Sequence, residues 1–131
     1  MIDAVDALDA QGLLARFAAL HPVAATGMGI HDHDGSWGEG GVIGRAARLD
    51  WCDVEEARLL RIPDADLSAD DRCDRDLALG TVRAIRFELR ELQPEAWDPL
   101  HTVSLVGGGL FPLIARGFGT RERDRKSTRL N

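Results

Sequence analysis

The chain has 131 residues, 44% of them hydrophobic and 29% charged, and no apolar run reaches the ~20 residues of a membrane span. That length allows one modest core burying roughly two thirds of the unfolded chain's surface, and the composition excludes the disordered and collagenous classes. Twenty-two acidic against sixteen basic residues give a net charge of −6, which disfavours a nonspecific phosphate-binding surface unless the basic groups cluster; no nucleic acid partner is expected.

From Asp3 to Leu20 the apolar residues Val5, Leu8, Leu13, Leu14, Phe17 and Leu20 recur at three- and four-residue steps, which predicts an amphipathic helix ending near His21-Pro22. Pro22 is placed to open a short second turn through Ala25, after which glycines punctuate a polar loop over 29–41. A second long helix is predicted from Val42 to Arg61, with Ile43, Ala46, Ala47, Val54, Ala57 and Leu60 offered for one face. Ser68 followed by Asp71 reads as a helix cap. Between Ala69 and Leu92 the positions Ala78, Val82, Ile85, Leu89 and Leu92 follow the seam spacing of a helix packed on helices, and Val82 and Ile85 are expected to be buried.

Pro94 ends that element, and Asp98-Pro99 predicts a cap and first residue of a short helix through Val106, broken by Gly107-Gly108-Gly109. Leu110 to Ala115 reads as one more turn, with Thr120 as a cap beyond it. No segment shows strand alternation. The expected fold is therefore all-α, an irregular helical bundle fragment with a long Gly-rich loop.

The last residues depart in composition from the rest. Tyr is absent, fifteen Arg carry nearly all the positive charge, and the only Lys (Lys126) and only Asn (Asn131) fall in the final six residues. Asp124 to Asn131 is the in-frame translation of GAT-CGG-AAG-AGC-ACA-CGT-CTG-AAC, which resembles a short-read sequencing adapter. Removing its one acid and three bases moves the net charge from −6 to −8. The expected organisation is thus the N-terminal helical part of a larger domain over 1–123 and an artefactual tail over 124–131. The sequence from Met1 lacks the basic and apolar regions of a secretory signal, so a cytoplasmic location is expected.

Candidate sites are few. His31-Asp32-His33-Asp34 offers imidazoles and carboxylates suited to a divalent metal, but one Gly-rich loop commonly carries such residues for turn formation. Gly107-Gly108-Gly109 lacks the following Gly-Lys-Ser/Thr of a phosphate cradle; it suits a sharp turn or a close backbone approach. Trp37, Trp51 and Trp97 suit core or staple roles better than ligand stacking, with Trp97 expected over the helix entry at Pro99. Cys52 and Cys73 have no Cys-x-x-Cys spacing and read as buried or half-buried free thiols. Ser36, Ser68 and Ser104 lack a nucleophile-elbow context, and no His-Glu-x-x-His occurs. No catalytic, cofactor-binding or metal-binding residue is assigned in this chain.

Three segments in order resemble one bacterial family, domain of unknown function 885. They are Leu14-Ala15-Arg16-Phe17 through His21-Pro22-Val23-Ala24-Ala25-Thr26-Gly27-Met28-Gly29-Ile30-His31-Asp32; Leu67-Ser68-Ala69-Asp70-Asp71-Arg72-Cys73-Asp74-Arg75-Asp76-Leu77; and Asp98-Pro99 with Gly107-Gly108-Gly109-Leu110-Phe111-Pro112-Leu113-Ile114-Ala115-Arg116. The specificity lies in the combination. His33 departs from the aromatic that the family commonly places between the two acids. The resemblance implies a long helical protein similar to zinc metallopeptidases, whose His-Glu metal motif lies far downstream. On that reading zinc and a peptide substrate belong to the full-length parent, the partner of this chain is the remainder of that parent, and this region is inactive by itself. A noncatalytic helical interaction module is the competing class, since a truncated bundle leaves apolar faces without mates.

Overall fold

The structure, a computed structural model, describes residues 8–115. Among these the secondary structure is helical, with no strand, as an all-α chain requires. The helices are α1 (Ala10–Leu20), α2 (Pro22–Met28), α3 (Gly41–Leu60), α4 (Ala69–Phe87), α5 (Pro94–Trp97) and α6 (Pro99–Ala115). A 3-10 turn (Asp64–Asp66) precedes α4 and a π turn (Glu88–Leu92) follows it. Where the chain length allows one core, the described residues divide into two compact units, 8–14 with 45–93 and 15–44 with 94–115. The start of the predicted first helix at Asp3, the cap at Thr120 and the tail over 124–131 lie outside the described residues.

In the first unit, Asp9 has left-handed backbone (φ 47°) and its carboxylate accepts a hydrogen bond from the Gly12 amide at 3.1 Å. This turn interrupts the helix that was expected to run unbroken to Leu20, and α1 follows it from Ala10. The span of α3 agrees with the predicted 42–61 to within a residue at each end, but its buried face does not. Ile43, Ala46, Ala47, Val54, Ala57 and Leu60 are all exposed, whereas Trp51, Cys52, Glu55 and Leu59 are buried. A thiol and a carboxylate occupy this inward stripe, which breaks its apolar signature. Burial, with Asp53 adding a like charge, pushes the Cys52 thiol up to about 11. Cys73, by contrast, is exposed on α4, neither buried nor half-buried as expected.

The helix α4 opens with the predicted cap, completed as a capping box: the Asp71 amide donates to Ser68 Oγ at 3.1 Å and the Ser68 amide donates to Asp71 Oδ2 at 3.3 Å. Val82 is buried as the seam spacing requires, whereas Ile85, expected to be buried with it, is only half-buried, as is Leu89. Leu92, assigned to the same seam, is exposed, because the π turn changes the register before Gln93 (φ 44°) and Pro94 end the element. Leu8, Leu59 and Leu79 form the core of this unit, flanked by Leu13, Ile62 and Ala78. The linker into α4 is fastened by Arg75, which donates to the Ile62 carbonyl at 3.2 Å and to Asp64.

In the second unit, Pro22 stands at the start of α2 as predicted, but the helix runs to Met28, past the expected end at Ala25. Gly29 (φ 89°) closes it in the left-handed conformation that glycine adopts without a Cβ penalty. Its amide donates to Thr26 O, and the next amide, of Ile30, donates to Ala25 O at 2.9 Å, the paired bonds of a Schellman end. The expected loop follows as far as α3.

The largest departure is α6. Asp98 caps it as predicted, accepting from the Leu100 amide at 2.9 Å. The helix then passes through Gly107-Gly108-Gly109, where a break was expected, and continues to Ala115. Tertiary packing outweighs the low helix propensity of glycine here: Gly109 is buried, and a Cβ added to it would lie 2.5 Å from Cζ3 of Trp37. Of the triplet, Gly109 alone supplies a close approach, within a continuous helix. Trp97, expected over the entry to this helix, is 69% exposed.

Candidate functional site

Among the residues singled out in the sequence, only the loop after α2 brings chemistry-bearing side chains together. The Schellman end of α2 turns the chain back so that Asp34, eight residues after Thr26, reaches the helix from the loop. Asp34 is 1% exposed. Its Oδ1 lies 2.7 Å from the Thr26 hydroxyl and its Oδ2 3.0 Å from His31 Nδ1. The Thr26 hydroxyl also lies 2.9 Å from the Pro22 carbonyl oxygen. It has one proton, and the shorter, charge-assisted contact to the carboxylate is the stronger acceptor.

A carboxylate only accepts, so Nδ1 of His31 is the donor in this pair and Nε2 is the ring nitrogen directed away from it. An acid bonded to one ring nitrogen fixes the orientation of the imidazole, as it does for histidines that act through the other nitrogen. Further groups for such action are not assembled with it: Asp32 is exposed, His33 is half-buried, and among the described residues no three His, Cys, Asp or Glu side chains are placed to hold a metal. The cluster proposed from the sequence therefore resolves into one buried acid that fastens the loop, one histidine bonded to it, and two residues outside the pair. Thr26 was not singled out in the sequence. Its only signal is its position four residues after Pro22, which puts its hydroxyl beside that residue's carbonyl.

The other candidates have structural assignments. Ser36 Oγ accepts from the Gly38 amide at 3.0 Å within the loop, Ser68 caps α4, and Ser104 is exposed on α6. Trp51 is buried on α3 and Trp37 covers Gly109.

A second cluster, not anticipated from the sequence, joins α3 to α4 in the first unit. Arg83 and Arg86 both donate to Glu56, Arg83 at 2.6 Å, and Arg86 also donates to Asp53 at 3.3 Å. Hydrogen bonds from Arg83 and Arg86 hold the Glu56 carboxyl below its ordinary range, and the same carboxylates hold Arg86 above its own. These arginines, with Phe87, Arg90 and Glu91, line a surface cavity of about 290 Å³. Their charge is already met by acids from α3, which makes the cluster a clamp between helices and leaves little unbalanced positive charge for an anion. Glu55, on the same helix, is 1% exposed and accepts from Arg58 Nε at 2.7 Å, while Arg58 Nη1 donates to the Leu8 carbonyl at 2.9 Å.

No family model, curated protein or solved structure matches this chain. Among the described residues no helix is long and apolar enough to cross a membrane.

Proposed function

We propose that this chain is the N-terminal scaffold region of a zinc-dependent, peptidase-like hydrolase of the domain of unknown function 885 family, inactive by itself. The proposal rests on the three ordered segments described above. The observation that carries it furthest is that the first and third of them, separated by some seventy residues of sequence, share one unit, where α2 packs against α6. Segments that define a resemblance jointly are expected to depend on each other physically.

In this reading α2, its loop and α6 form one wall of a cleft in a cytoplasmic parent, whose peptide substrate and zinc are held elsewhere in the longer chain. Zinc bound in such a parent would supply a Lewis acid for the peptide carbonyl and for its bound water, beside a glutamate as base. None of those groups is assigned to residues of this chain. The second reading, a noncatalytic helical interaction module, is favoured by the exposed apolar side chains Leu100, Val103, Phe111 and Ile114 on α6.

Reading the source DNA through and beyond the codon for Arg123 tests the proposal. The expected result is coding sequence that diverges from this chain at Asp124, continues with apolar residues at three- and four-residue spacing, and reaches a His-Glu metal motif. A stop codon after Asn131 in clean genomic sequence would overturn it and leave the interaction module.

A further inference from the structure

We draw no further inference here: the strongest candidate, the face of α6 that exposes Leu100, Val103, Phe111 and Ile114 on a helix without a charged residue, is an unpartnered apolar surface, and nothing in the structure shows what covers it.

Discussion

Truncating Asp34 removes the carboxylate that the Thr26 hydroxyl faces inside the second unit and releases the His31 ring on the other side. Loss of a hydrogen-bond partner to a buried polar group costs about 1 to 3 kcal/mol, so Asp34→Ala should lower the stability measured by urea unfolding by about that amount. His31→Ala should cost less than about 1 kcal/mol, because the His31 side chain is 45% exposed and its bond to Asp34 competes with water. Equal losses in the two variants would show that the histidine, and not the threonine, is the partner on which Asp34 depends. At this scale the sequence was readable wherever a side chain acts on its near neighbours: Ser68 with Asp71, and Asp98 with Pro99, are local chemistry. Asp34 was visible as a candidate ligand but not as a buried anchor. Burial is set by the return of the loop onto α2, which local spacing does not encode.

Among the elements, α3 and α6 show two ways in which periodicity misleads. On α3 the inward stripe includes Cys52 and Glu55, so a search for apolar residues settles on the opposite face, which is exposed. On α6 three consecutive glycines read as a break by propensity, yet the helix continues because Trp37 packs where a side chain on Gly109 would stand. The three positions therefore separate on substitution. Gly109→Ala should destabilise by about 1 to 3 kcal/mol through overpacking against the indole. Gly107→Ala and Gly108→Ala meet nothing within 4 Å and should each stabilise by up to about 1 kcal/mol through helix propensity. Thermal unfolding of the three single variants checks this, and a destabilising Gly107→Ala together with a neutral Gly109→Ala would contradict a continuous α6. The seam of α4 was legible at Val82 because one regular period runs through that part of the helix; it fails at Leu92, where the π turn shifts the register.

On the scale of the molecule, composition and the absence of strand alternation identified the all-α class, but they did not reveal two units. Interleaved segments such as 8–14 with 45–93 are joined by long-range contacts that no local pattern announces. Nor did composition announce the Arg83, Arg86, Glu56 and Asp53 clamp, since exposed charge on two helices reads equally as solvated surface. The clamp gives stability a pH dependence of definite sign. Because Glu56 is held below its ordinary value of 4.5 in the folded chain, its contribution is present above that value and is lost as the pH falls through the folded one. The difference in urea midpoint between the native chain and Glu56→Gln should therefore be largest near neutral pH and shrink below about pH 4. A difference that does not change with pH would mean that the clamp holds by geometry without charge.

At its furthest reach, the proposed function is a zinc-dependent hydrolase of which this helical region would be one part. Hydrolysis of a peptide by the full-length gene product, measured metal-free and after zinc is restored, tests it most directly. The expected result is cleavage that is absent without metal, returns with zinc, and disappears when the glutamate of the proposed downstream His-Glu motif is changed to glutamine. A folded, zinc-loaded full-length product that cleaves no peptide, or one that cleaves equally well without metal, would contradict it.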